Sequence, residues 1–172
     1  MVLNSSRELK AQEVQSLVLD LRNNGGGLLD ASVDIADHFI SEGLLLREES
    51  NRNEREFEAN TETLAPDIPI IVLTNQGTAS ASEILAGALQ DLDRATLIGT
   101  RTFGKGSVQL VFDLSDGSSI HVTSSRWFTP NGHQLDGEGL EPDIPVELTQ
   151  EAIDAGRDEI LERAVDFLQT GE

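Results

Sequence analysis

The chain has 172 residues, 38% of them apolar and 25% charged, which suits one globular domain with a buried core. Its formal net charge of −19 argues against nucleic acid and anionic lipid as partners, because such a surface repels phosphate. The lack of cysteine excludes disulfides, thiol catalysis and cysteine-based metal sites, and no apolar run approaches membrane-spanning length.

Ser5 or Ser6 is placed to cap a short helix through Glu8–Gln12, and nothing from Met1 onward has the apolar core of a signal peptide. Val14–Leu21 reads as a strand buried on much of both faces. It runs into Arg22-Asn-Asn-Gly-Gly-Gly27, whose glycines permit close backbone approach. Leu28–Ile40 is expected as a helix, with Leu29, Val33, Ala36 and Ile40 on one apolar face. Leu44–Glu48 and Arg55–Ala59 read as a hairpin around Asn51-Arg-Asn53. After Pro66-Asp-Ile-Pro69, Ile70–Leu73 is a short apolar strand, Ala79–Asp91 a helix and Ala95–Ile98 a third apolar strand. Ser107–Leu114 and Ser118–Ser125 form the clearest hairpin, turned at Asp116-Gly117. A Pro/Gly-rich stretch, Thr129–Pro145, closes the core, and Leu148–Gln169 reads as one acidic helix. Its Ile153, Ile160, Ala164 and Phe167 favour packing on the core over a second chain. The acidic runs Glu48–Glu62 and Glu138–Glu172 read as solvated faces. Repeated strand–helix–strand order indicates an α/β domain.

Ser80 sits at an expected helix start, where two readings compete. Ser80-Ala-Ser-Glu83 fits a capping box, and a hydroxyl beside free helix amides also fits a nucleophile beside an oxyanion site. A nucleophilic serine needs a base. His38 reads as a surface pair with Asp34, His121 lies in a hairpin and His133 in a loop; position 78 is Thr, so the Gly-x-Ser-x-Gly elbow is missing. Lys105 is the better base, although a solvated loop lysine is the plainer reading. To act near neutrality it must titrate at about 7–8, some 4 kcal/mol from its ordinary state, which calls for desolvation. Flanking glycines and Phe103 would let it tuck against apolar walls.

Gly99-Thr-Arg-Thr-Phe-Gly-Lys105 imitates a phosphate-binding loop, but position 106 is Gly and a strand pattern follows, so nucleotide binding is rejected. Gly25-Gly-Gly27 lacks the third glycine of a dinucleotide fingerprint.

Four blocks, in order, resemble the carboxyl-terminal processing peptidases, or tail-specific proteases: Leu19-Asp-Leu-Arg-Asn-Asn-Gly-Gly-Gly27; Gly77-Thr-Ala-Ser-Ala-Ser-Glu-Ile84; Gly99-Thr-Arg-Thr-Phe-Gly-Lys-Gly-Ser-Val-Gln109; and Thr129-Pro-Asn-Gly132 with Gly139-Leu-Glu-Pro-Asp-Ile144. The resemblance implies a spiral ββα core like that of crotonases and Clp proteases, with a β-hairpin and a C-terminal helix. It implies Ser80 as nucleophile, Lys105 as base, Gln109 as the residue orienting the lysine, and oxyanion donors at Ala81 and Gly26. Glu83 belongs to the same block and reads as capping support. Four residues of strand span about 13 Å, so Gln109 reaches Lys105 only if the glycine turn folds back.

The implied activity is endoproteolysis of proteins with apolar C-terminal tails, through an acyl-enzyme and with neither metal nor organic cofactor. The chain is expected to be a single core over 1–172, its body at about 12–147 and its terminal helix at about 148–170. The PDZ domain and N-terminal segment usual in the family are not found in it. Implied partners are protein or peptide substrates and an upstream PDZ domain, with no nucleic acid and no strong membrane binding; an oligomer is left open. An extracytoplasmic setting is implied as well. Two alternatives stay open: a non-catalytic ligand- or peptide-binding module like the retinoid-binding proteins of this fold, and an inactive truncated core.

Overall fold

The computed structural model describes residues 14–59, 63 and 68–171. The expected helix at Glu8–Gln12 and part of the Pro66–Pro69 turn lie outside the described residues. The first sheet is parallel, with strands β1 (Leu17–Asp20), β4 (Ile70–Thr74), β5 (Thr96–Gly99) and β8 (Ile144–Pro145) in the order β1-β4-β5-β8. All five residues of β4 are buried, as a central parallel strand covered on both faces requires. Alternation splits them between two layers. Ile70 and Val72 join Leu97, Ile84 and Leu89 on one side, while Ile71 and Leu73 meet Ile98, Ile160 and Ala164 on the other.

The first layer carries helices α1 (Leu29–Asp37) and α2 (Ala81–Asp91). The second carries α4 (Glu159–Thr170), preceded by the short α3 (Gln150–Asp154). The second sheet is antiparallel and ordered β3-β2-β7-β6, from β2 (Leu44–Ser50), β3 (Glu54–Glu58), β6 (Ser107–Asp113) and β7 (Ser119–Phe128). Leu45, Leu46 and Trp127 carry it into the first core layer.

Several elements differ from the sequence reading. β1 begins at Leu17 and is only partly buried, because it ends the sheet order and has one lateral neighbour. Helix α1 stops at Asp37, where the Ala36 carbonyl accepts from both Phe39 and Ile40. His38 makes no pair with Asp34, and both its ring nitrogens are buried without a partner among the described residues. The expected C-terminal helix breaks at Gly156, whose φ of +65° ends α3, and Asp158 then caps α4 through the Leu161 N–H. The break explains why Ile160 and Ala164 are buried against the first sheet while Ile153 stays exposed.

The β6–β7 hairpin forms as expected and reaches away from the core. Leu110 pairs with Val122 and Phe112 with Ile120, which gathers four apolar side chains on one face of the ribbon. All four are about half exposed.

Candidate active site

Three loops at the carboxyl ends of β1, β4 and β5 converge, the place where open α/β sheets present their functional groups. They are laced together by backbone groups. The Thr78 hydroxyl donates to the Leu21 carbonyl at 2.8 Å, the Ala79 N–H to the Asn24 carbonyl at 3.0 Å, and the Phe103 N–H to the Thr78 carbonyl at 2.9 Å. Asn75 adds a hinge pin, its Oδ1 accepting from the Asn23 and Gly77 amides at 2.9 Å each while its Nδ2 donates to Asn23 Oδ1 at 3.1 Å. Gly77 is required there, since a Cβ would lie 2.7 Å from Asn23 Oδ1 and 2.9 Å from its Cα.

Ser80 is the last residue before α2 and has φ 58° and ψ −123°, a region that non-glycine residues rarely enter. That turn lifts the side chain out of the helix direction. The Ala81 N–H begins the helix and has no acceptor among the described residues. Gly26 presses on the same turn: a Cβ there would lie 2.7 Å from the Ala79 carbonyl oxygen, 2.8 Å from the Ala81 nitrogen and 2.9 Å from Ser80 Cβ. The Gly26 N–H itself donates to Asn24 Oδ1 at 3.1 Å.

Glu83 is fully buried, and its role exceeds the cap read from the sequence. Oε2 accepts from the Ser80 N–H at 2.9 Å and from the Lys105 N–H at 2.8 Å. Oε1 accepts from the Thr102 hydroxyl at 2.5 Å and the Gly104 N–H at 2.7 Å. The amides of Ser80 and Lys105 therefore lie within two hydrogen-bond lengths of each other. Within the box, the Glu83 N–H donates to the Ser80 carbonyl at 2.8 Å. Thr102 Oγ1 also accepts from Leu140 at 2.7 Å, which ties in the Gly139–Ile144 block.

The side chains of Lys105 and Gln109 point into solvent. The apolar walls expected around the ammonium are not in place, for Phe103 is itself 66% exposed. Neither Lys105 nor Gln109 has a side-chain hydrogen-bond partner among the described residues. Ser107–Asp113 is a strand, which agrees with rejecting a phosphate loop. Among the described residues no cluster of three or more His, Asp or Glu is placed to hold a metal.

At the start of the glycine loop, Arg22 grips Asp158 with two parallel bonds of 2.7 and 2.8 Å and Asp20 with bonds of 3.0 and 2.7 Å. These hydrogen bonds hold both carboxyls below their usual range and raise the guanidinium further above its own.

The profile of peptidase family S41 matches residues 2–146. The chain belongs to that family. Its S41 relatives include a carboxyl-terminal-processing protease of Synechocystis sp., 49% identical over 147 residues, covering 85% of this chain and 34% of the relative. The solved structure of a photosystem II D1 C-terminal processing protease has a TM-score of 0.75 at 44% identity, covering 83% of this chain and 38% of that one. Mature CPAF, at 16% identity and a TM-score of 0.80 over 97% of this chain and 47% of its own, shares the fold alone. The chain thus spans about a third of the length of the curated S41 relatives it matches. The mixed α/β architecture of parallel and antiparallel sheets is that of S41 proteases.

Residues that side-chain patterns alone did not mark are Asn23, Asn75 and Thr102. The signal for Asn75 was its Asn-Gln-Gly turn. Thr102 left none, since a threonine in a loop reads as ordinary surface.

Proposed function

We propose that this chain is the catalytic core of a serine endopeptidase that cuts proteins at or near apolar C-terminal tails. The observation that carries this reading is the Ser80 turn: a serine held at φ 58° at a helix start, with Gly26 packed against it and the Lys105 backbone fastened to the same carboxylate. Strain of this kind gathers where a side chain must be presented.

In this reading Ser80 Oγ gives its proton to Lys105 Nζ and bonds to the scissile carbonyl carbon. The Ala81 N–H steadies the resulting oxyanion, with the Gly26 N–H as second donor once its bond to Asn24 opens. The protonated Lys105 then gives its proton to the leaving amine as the C–N bond breaks. Water gives a proton to Lys105 as it attacks the acyl carbon, and Lys105 returns that proton to Ser80 Oγ as the ester C–O bond breaks. Gln109 orients the lysine when the loop closes down on it. No metal or organic cofactor takes part. Partners are protein or peptide substrates engaged through their C-termini and a PDZ domain upstream in the full-length protein; the setting is extracytoplasmic. Residues 1–172 act as one domain.

The exposure of Lys105 and Phe103 favours a second reading, a core that stays idle until another domain covers the lysine.

Unfolded casein offered to this chain from pH 6 to 10 tests the proposal. The expected result is hydrolysis that rises through one ionisation and is lost in folded Ser80→Ala and Lys105→Ala. A parent chain that cuts nothing but is labelled at Ser80 by a fluorophosphonate supports the second reading. A full-length protein that also shows no Ser80-dependent cutting or labelling sinks both.

A further inference from the structure

Resting on the Ser80–Lys105 reading, we infer that Glu83 is a positioning residue that sets nucleophile and base segments in one register. A helix cap would need only the Ser80 N–H, and a half-solvated Glu or Gln provides that. Glu83 is instead fully buried, and three of its four donors come from Thr102, Gly104 and Lys105, on the loop after β5. None of the described basic side chains forms an ion pair with it. A buried carboxylate without a cation is tolerated only when donors surround it, and here three of them are backbone amides that cannot rotate away.

The shared oxygen is the telling detail. One atom, Oε2, receives the amides of both Ser80 and Lys105, so the two backbones cannot separate without breaking a charge-assisted bond. The same oxygen helps to hold Ser80 in its strained turn. It fixes the root of the Lys105 side chain while the exposed stem stays free to swing toward the serine. Glu83 does this without touching substrate.

Glu83→Gln keeps the shape but sets an NH₂ against the Ser80 and Lys105 N–H groups in one orientation of the amide, or against the Gly104 N–H in the other. The probe is a small fluorophosphonate reacting with Ser80 in this 172-residue chain, with Ser80→Ala as the unlabelled control. In Glu83→Gln the maximal labelling rate is expected to fall at least about tenfold, with the half-saturating probe concentration within about twofold. A folded variant that labels at the parent rate overturns the inference. Should Glu83→Gln fail to fold, Thr102 decides: Thr102→Ser keeps the hydroxyl and the parent rate, while Thr102→Val loses about threefold or more. Equal rates in both overturn the inference.

Amide hydrogen exchange reads the clamp apart from chemistry. In Glu83→Gln at least one amide of the loop after β5, Gly104 or Lys105, should exchange faster; acceleration at Ser80 alone would return Glu83 to a simple cap. Failure of Ser80 to label in the full-length protein as well as in this chain refutes the dyad reading, and the positioning role falls with it. Exchange would then still report whether the carboxylate joins the two segments.

Discussion

The two halves of the candidate site are built to opposite standards. The Ser80 half rises from β4 and α2, where β4 is wholly buried and nine residues of α2 are buried too, so the Ser80 backbone is held firmly. The Lys105 half leads from the Glu83 clamp straight into the β6–β7 ribbon, whose apolar face is about half exposed among the described residues. A rigid floor opposite an open wall teaches that, among the described residues, the core frames Ser80 but leaves Lys105 uncovered.

The largest effect is expected where the frame is deepest. Leu97, fully buried on β5, should cost about 2–5 kcal/mol on replacement by alanine, read by urea unfolding. A loss below about 1 kcal/mol would mean that β5 is not part of the frame.

The clamp at Arg22 sharpens the contrast within the rigid half. Its hydrogen bonds lower the Asp20 and Asp158 carboxyls, so their stabilisation is complete above the ordinary aspartate value near 3.9 and fades as pH falls through the depressed folded values. Arg22→Ala should therefore destabilise by about 1 kcal/mol at pH 7, given the partial exposure of both aspartates, and by less at pH 3. Paired urea titrations at the two pH values check it. A gap that widens at pH 3 would contradict the clamp.

The smallest effect belongs to the ribbon. Phe112→Ser, at a side chain 52% exposed, should leave stability within about 0.5 kcal/mol. A drop of about 2 kcal/mol would show that the ribbon is held to the core after all.

How much of this was legible depended on whether side chains or backbone carried the contact. The apolar runs Ile70–Leu73 and Ala95–Ile98 announced buried parallel strands because both their faces need covering. Ser80 announced a helix start through its spacing to Glu83. What Glu83 does beyond that was illegible, because its other partners are mostly backbone amides about twenty residues away, and amides carry no side-chain signature. The broken C-terminal helix was misread for a different reason: Ile153 falls in phase with Ile160 across Gly156, so periodicity ran through a turn that one positive φ had already ended. The exposure of Lys105 matches the plainer reading of a solvated loop lysine, while the tucked chain that the flanking glycines also permit is not formed.

On the proposed reading of Ser80, this turn also marks a place where selection for reaction and selection for durability pull apart. Glycine would occupy φ 58° without the steric penalty, so the most relaxed version of this turn is one with no hydroxyl at all. Every descendant that keeps serine here carries a local deficit of about 1–3 kcal/mol, and the neighbouring contacts must outweigh it. Lineages that lose the need to cut are then free to drift toward glycine at position 80, and such drift would be a sign of abandoned chemistry in an otherwise intact fold.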